Sequence, residues 1–195
     1  QIRGSAAAKE MTCEEMGRLL VDSSKDEKAP GAALRLMQLK KYESPCTWTL
    51  AAQIDGNLDT FDYDKAIWTE TSTLDAGGEK KTAAFNDMKS SGIRIEFERG
   101  ECTQQFDYIH NLNKTLRDIF SGGEIIDASP GRNAWIGLGC GIFARQTNCN
   151  RHGFNVVGGS NKIRYGIIFN NENNCGSPDA SIGLGIKRDN IAAGG

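Results

Sequence analysis

Six cysteines constrain this chain more than any other feature of its sequence. They are even in number, widely spaced and without a C-x-x-C pair: Cys13, Cys46, Cys102, Cys140, Cys149 and Cys175. Zinc sites usually show close ligand pairs and thioredoxin-type sites need C-x-x-C, so both are disfavoured. We therefore predict three disulfides formed in an oxidising compartment, with six buried thiols of a cytosolic protein as the alternative.

Two further features favour secretion. The chain begins at Gln1 instead of Met, as a chain does after signal cleavage, although a trimmed chain would look the same. Asn113-Lys114-Thr115 is an N-glycosylation sequon, so Asn113 is a candidate glycosylation site. We expect a secreted, extracellular glycoprotein.

Charge and hydropathy argue against two classes of partner. The 195 residues are 38% hydrophobic and 25% charged, which is typical of a folded globule, and the formal net charge is −2. No basic stripe is present for nucleic acid, and no apolar run approaches the roughly 18–20 residues that cross a bilayer. We predict no nucleic acid partner and no membrane span.

Glycine and asparagine divide the chain near its middle. Of the 23 glycines, 15 follow residue 120, and eight asparagines lie between Asn148 and Asn174. This pattern predicts helices and ordinary strands first, then short strands joined by polar turns. The expected fold class is α+β, with a mainly antiparallel sheet, flanking helices and long Gly/Asn-rich loops.

Hydrophobic periodicity predicts the individual elements. Helices are expected over residues 6–21, 31–42, 83–89 and 106–120, and strands over 47–54, 93–97, 134–143, 154–157, 163–169 and 181–186. The first two helices define an N-terminal helical extension, residues 1–45, ahead of a main domain, residues 46–195. They could form a docked hairpin, mediate assembly or serve as a structural cap.

Catalytic motifs are scarce. The two histidines are His110, within the predicted helix 106–120, and His152, in a predicted turn. No G-x-S-x-G motif accompanies them, and the disulfide interpretation removes cysteine nucleophiles. We predict that the protein is not an enzyme.

Two polar clusters contain the oxygen atoms that calcium prefers. The first, residues 55–64, begins like an EF-hand, but Thr60 and Ala66 stand where glycine and glutamate are required, so a hairpin turn is favoured. The second, residues 170–179, offers Glu172, Asp179, Asn171 and Asn173 as candidate calcium ligands. A capped polar loop without metal is the alternative.

Motifs of fixed order run along residues 46–186. They are T-W-T-L at 47–50, D-G-N at 55–57, F-x-Y-D-x-A-x-W-T at 61–69, G-R-N-x-W at 131–135, N-C-N-x-x-G-F-N at 148–155, I-I-x-N-N-E-N-x-C at 167–175 and P-D-x-x-I-G-x-G at 178–185. In order and spacing they resemble an extracellular family of marine invertebrates and fish whose first part is similar to fibrinogen-related domains. The sequence departs from that pattern at Ser44-Pro45-Cys46, where a G-G-G-W run is usual, and in the N-terminal helices.

The resemblance implies a secreted module, since fibrinogen-related domains often bind calcium and sugars or acetylated groups. Among the cysteines it favours Cys149–Cys175, whose flanking strands would be neighbours. Cys13–Cys46 and Cys102–Cys140 are the further expected pairs, and Cys140–Cys149, which would close a hairpin, is the alternative. We expect a non-enzymatic, calcium-assisted, lectin-like domain with a glycan or extracellular protein partner and an exposed aromatic such as Tyr165 beside the 170–179 loop. The alternative is a self-associating structural subunit of an extracellular matrix, filament or surface coat.

Overall fold

Antiparallel strands dominate the computed structural model, which describes residues 33–41, 48–99, 101–137 and 146–187. Every strand pair in these residues is antiparallel. Only a few short helices accompany the strands. The predicted α+β class with a mainly antiparallel sheet is confirmed.

The larger of two sheets is built from the first part of the chain. Its strands are β1 (Ala33–Lys41), β2 (Trp48–Asp55), β3 (Leu74–Ala76), β4 (Glu79–Lys81), β5 (Ser90–Arg99) and β6 (Cys102–Ile109). Their order across the sheet is β3-β4-β2-β1-β5-β6. A short helix, α1 (Ala83–Asp87), connects β4 to β5, and a single turn of 3-10 helix (Ala66–Trp68) lies between β2 and β3. The strand predictions for residues 47–54 and 93–97 and the helix prediction for 83–89 are confirmed.

The smaller sheet lies in the glycine- and asparagine-rich second half. It contains β7 (Asn148–Gly158), β8 (Asn161–Asn170) and β9 (Ala180–Ile186), with β8 in the middle. Two helices precede it in the chain, α2 (Leu116–Gly122) and α3 (Arg132–Gly137). The last three predicted strands are confirmed. No helix in the described residues has the length and apolar character needed to cross a membrane.

The helix predicted over residues 31–42 is wrong, because residues 33–41 form β1. This strand pairs with β2 on one side and β5 on the other, so both of its edges are hydrogen-bonded. Met37 and Leu39, two residues apart, are fully buried on its inner face. The leucine and methionine positions fit the apolar period of a helix as well as that of a strand, and the strand forms because both of its edges find hydrogen-bonding partners. The predicted helix over residues 6–21 lies outside the described residues.

Two other predictions are corrected in the middle of the chain. The helix expected over residues 106–120 is split, since β6 extends to Ile109 and α2 begins only at Leu116. The strand expected over residues 134–143 is wrong in its first part, where α3 occupies residues 132–137, and residues 138–143 are not among those described. Trp135 is fully buried on this helix.

One hydrophobic cluster joins the two sheets. Phe120 of α2 bridges them, with its ring centroid 4.9 Å from that of Trp68 and 5.7 Å from that of Phe154. Arg164 of β8 adds a polar tie, because its Nε donates to the Tyr63 carbonyl at 2.8 Å and its guanidinium lies 4.4 Å from the Tyr63 ring centroid. Burial lowers the pKa of Arg164. The shared core holds β8 and β9 in place, and with them the loop that connects them.

Candidate functional site

The candidate site is the Cys175 loop, residues 171–179, which connects β8 to β9. Cys175 forms a disulfide with Cys149 of β7, with an S–S distance of 2.07 Å and a Cα–Cα distance of 5.2 Å. Because β7 lies on the far side of β8 from β9, the disulfide anchors the middle of the loop across the end of the sheet. Cys149 is buried beside Val156, Ile163 and Ile168. The favoured pairing of Cys149 with Cys175 is confirmed.

Asn170, the last residue of β8, organises the loop from below. Its side chain is fully buried, and its Nδ2 donates to the carbonyl oxygens of Asn174 at 2.7 Å and Ser177 at 3.1 Å. From β7, Asn148 Nδ2 donates to the Asn171 carbonyl at 2.7 Å. These bonds satisfy backbone acceptors that a loop would otherwise leave to water. The backbone of the loop is therefore fixed at its start and through its centre.

The turn between β7 and β8 forms the floor of the Cys175 loop. Gly159 has a φ of 54°, the left-handed region that glycine tolerates best. A Cβ added there would collide with the Gly176 carbonyl oxygen, and one added at Gly158 would lie 2.6 Å from the Cys175 carbonyl oxygen. The loop backbone thus rests directly on the turn, which only glycines permit.

The predicted ligands lie on the outer surface of this fixed loop. Asn171, Glu172 and Asn173 are all exposed, and their side-chain polar atoms have no hydrogen-bond partner among the described residues. Asp179 is also exposed, but its Oδ2 accepts a hydrogen bond from Gln146 Nε2 at 2.9 Å. Four predicted residues therefore share one loop, three of them consecutive and without partners.

The fit of calcium is judged from the oxygen atoms that the loop offers. In the described part of the chain, no three His, Cys, Asp or Glu side chains group closely enough to hold a metal ion. The oxygen Oδ1 of Asn170 is buried and has no hydrogen-bond partner among the same residues. A buried, unpartnered amide oxygen is uncommon and needs an explanation such as an ion or a water. This oxygen is buried, whereas the four predicted ligands are exposed, so it lies apart from their surface.

The aromatic side chain expected beside the loop is not exposed. Tyr165 is fully buried, with its ring centroid 4.4 Å from that of Phe154 and 5.2 Å from that of Trp135. Its hydroxyl has no hydrogen-bond partner among the described residues, and burial raises its pKa well above the ordinary value. The expectation of an exposed Tyr165 is wrong, because this residue of β8 belongs to the hydrophobic core.

The other acidic cluster forms a self-contained turn after β2. Asp55 Oδ1 accepts a hydrogen bond from the Asn57 amide at 2.9 Å, and Asp59 forms an ion pair with Lys65 at 2.8 Å. Asp64 lies 3.6 Å from Lys187 Nζ. These carboxylates thus already interact with lysine side chains or a backbone amide, which agrees with a hairpin turn rather than a cation site.

His152 takes part in a cluster that resembles a catalytic triad only in composition. Asp127 Oδ1 lies 2.8 Å and Ser129 Oγ 3.1 Å from the same ring nitrogen, Nδ1. In a serine triad the carboxylate and the serine contact different nitrogens, so that one nitrogen is held while the other takes the proton. Ser129 Oγ also accepts from Trp135 Nε1 at 3.1 Å and is nearly buried. The cluster links α3 to β7 and lacks the geometry of an activated serine.

His110 is held in an orientation that opposes base catalysis. Its Nδ1 accepts a hydrogen bond from the Leu112 amide at 3.3 Å, so the proton of the neutral ring is on Nε2, which faces Ser90 Oγ at 3.4 Å. Burial lowers the pKa of His110 and favours this neutral form. A protonated Nε2 cannot accept the Ser90 proton, and both residues are buried at the end of the larger sheet.

The remaining predicted residues are placed as follows. Cys102, at the start of β6, is disulfide-bonded. Cys13, Cys46 and Cys140 lie outside those ranges, so the other predicted pairings stay predictions. Asn113 is exposed in the loop before α2.

Comparisons with known proteins give no family assignment. No protein-family model matches the chain, and no curated protein or solved structure is significantly similar to it. The resemblance to fibrinogen-related domains therefore stays a prediction from the motifs.

Proposed function

We propose that this protein is a secreted, non-enzymatic recognition domain that binds carbohydrate through the Cys175 loop, with calcium assisting. One observation carries the proposal: Asn171, Glu172 and Asn173 extend into solvent from a backbone that a disulfide and a buried asparagine hold in place. Polar side chains on a preformed loop are a common way to build a binding site on a rigid scaffold.

The chemistry of the loop suits a polyhydroxylated ligand. Each asparagine amide offers two donors and an acceptor, and the Glu172 carboxylate accepts from hydroxyl groups. Sugar hydroxyls both donate and accept, so adjacent amide and carboxylate groups complement a pair of them. Since the loop is already ordered, binding does not have to order its backbone, and this reduces the entropic cost.

The calcium part of the proposal rests on the oxygen atoms that the loop presents. The ion takes six to eight oxygen ligands from carboxylates, amides and backbone carbonyls. Glu172 and Asp179 would supply charge, and Asn171 and Asn173 would supply amide oxygens from the outer surface of the loop. When bound, the ion would supply positive charge to which sugar hydroxyl oxygens can coordinate.

Secretion is supported by the oxidised cysteines. Cys149, Cys175 and Cys102 are all disulfide-bonded. Disulfides persist in oxidising compartments and are uncommon in the cytosol.

The test is a glycan array probed with the oxidised full chain, in calcium and again in chelator. We expect binding in calcium, its loss in chelator, and its loss in the variant Asn171→Ala/Glu172→Gln/Asn173→Ala. The matched control, Gln104→Ala/Gln105→Ala, changes exposed side chains on β6 of the other sheet and should bind like the original. Absence of binding to every glycan would overturn the proposal, and equal binding in chelator would remove calcium from it.

A second candidate, a structural subunit of an extracellular matrix, filament or surface coat, is favoured by β6. Among the described strands it lies at the edge of the larger sheet, and Thr103, Gln104 and Gln105 are exposed. An edge strand offers backbone groups to a strand of another molecule. Light scattering should then show assembly that Gln104→Lys/Gln105→Lys abolishes. A monomer at high concentration would contradict this candidate.

A further inference from the structure

Asn113 occupies a surface position that suits a covalent modification. It lies in the loop between β6 and α2, and it is the only asparagine of the chain in an N-x-S/T triplet. Its side chain is exposed and has no hydrogen-bond partner among the described residues. Its backbone is in the left-handed region, with a φ of 49°. A group attached at Nδ2 would therefore extend into solvent without displacing a contact.

Thr115, the other recognised residue of the triplet, is in a contrasting environment. It is the N-cap of α2, and its Oγ1 accepts a hydrogen bond from the Asp118 amide at 3.1 Å. Only 6% of the residue is exposed, and the next residue, Leu116, is fully buried. In the folded protein the threonine hydroxyl is thus occupied by the helix and covered by the core.

The two residues can be recognised together only while this part of the chain is unfolded. The transfer of an N-linked glycan requires the Thr115 hydroxyl as well as the asparagine. Because the cap hides one and leaves the other exposed, the folded structure fits the product of the reaction better than its acceptor.

We infer that Asn113 carries an N-linked glycan that is attached before α2 and its N-cap form. In the transfer, the Asn113 Nδ2–C1 sugar bond forms and the C1–O bond to a lipid-linked diphosphate donor breaks. The lipid diphosphate leaves, and the amide nitrogen loses one proton. Once the chain folds, Thr115 takes up its role as cap and the glycan stays at the surface. The inference rests on the proposed secretion, since the donor lipid belongs to the secretory pathway.

The first experiment is expression of the full chain in secretory eukaryotic cells behind an appended signal sequence, followed by mass measurement with and without a glycan-releasing amidase. We expect a mass shift of one glycan for the original chain and for Thr115→Ser, which keeps both the sequon and the cap. We expect none for Asn113→Gln, whereas Asn111→Gln, a change at an exposed asparagine two residues away, should keep the glycan. No shift in the secreted original chain would overturn the inference.

The second experiment tests the order of events. Unglycosylated chain, either folded and oxidised or reduced and unfolded, is incubated with oligosaccharyltransferase and a lipid-linked oligosaccharide. We expect at least about tenfold more modification of the unfolded chain, because exposing Thr115 in the folded one requires local unfolding. Equal modification of both would overturn the proposed order. The readout is mass, so failure here is distinct from failure of the glycan array, which concerns the Cys175 loop.

Discussion

The turn after β2, residues 55–65, and the Cys175 loop both collect acidic and amide side chains. In the first, Asp59 pairs with Lys65 and Asp55 accepts the Asn57 amide, so the carboxylates stabilise the turn itself. In the second, Glu172 has no such partner among the described residues, and the loop is held instead by the Cys149–Cys175 disulfide and by Asn170.

The difference shows what a cluster of oxygen ligands needs in order to serve binding. If the carboxylates also fix the backbone, a cation or sugar has to displace their lysines and amides. If the backbone is fixed by other residues, the polar side chains remain available. The predictions below test this division of roles, beginning with the groups that hold the Cys175 loop.

Removing the disulfide should have the largest effect. Cys149→Ser/Cys175→Ser removes a cross-link between residues 26 positions apart in the sequence. We expect the free energy of unfolding to fall by about 3 kcal/mol. Urea unfolding under non-reducing conditions measures it. A loss no larger than the effect of a surface substitution would contradict the role of the disulfide as anchor.

Asn170→Ala should cost somewhat less, about 2 kcal/mol, because the carbonyls of Asn174 and Ser177 lose their donor near the buried floor of the loop. The control is the neighbouring exposed residue, Asn171→Ala, which should change stability by less than about 0.5 kcal/mol. Thermal unfolding compares the two. Equal effects would show that Asn170 does not organise the loop.

Tyr165→Phe tests the hydrophobic core to which β8 contributes. Its hydroxyl is buried without a partner, so removing it should stabilise the protein by about 1 kcal/mol at neutral pH. Burial raises the pKa of Tyr165, so the folded state keeps the proton while the unfolded phenol ionises above about pH 10. The stability of the original chain should therefore fall as the pH rises above this value, and that of Tyr165→Phe should fall less. Urea unfolding of both proteins at neutral and alkaline pH measures this difference. Identical pH dependence of the two would contradict the burial of the Tyr165 hydroxyl.

Asp59→Asn in the turn after β2 should have the smallest effect. Its ion pair with Lys65 is exposed on both sides, so we expect a change below about 0.5 kcal/mol. The same substitution should leave glycan binding unchanged. Loss of glycan binding in Asp59→Asn would reverse the assignment of the two loops.

The sequence predicted the last three strands, β7 to β9, better than the elements at residues 33–41, 106–120 and 134–143. Strands β7 to β9 are bounded by glycine- and asparagine-rich turns, so composition was enough to locate them. Residues 33–41 have apolar positions that fit a helix as well as a strand, and pairing with two neighbours decides between them. At residues 106–120 the chain changes from β6 to α2, and the apolar residues of the two elements together imitate one helix.

The sequence predicted the exposed residues of the candidate site but not the buried residue that holds its backbone. The exposed run Asn171 to Asn173 follows from polarity, and the Cys149–Cys175 pairing from the motifs. The role of Asn170 depends on which residue of an asparagine run is buried, and only the packing of β8 against β7 and β9 determines that. Tyr165 was misplaced for the same reason.

Calorimetric titration of the oxidised chain with calcium tests the central claim most directly. We expect saturable binding by the original chain, an affinity at least about tenfold weaker for Glu172→Gln, because a charged ligand is lost, and an unchanged affinity for Asp59→Asn. No saturable binding, or equal weakening by both substitutions, would contradict the account of the Cys175 loop as the calcium-assisted binding site.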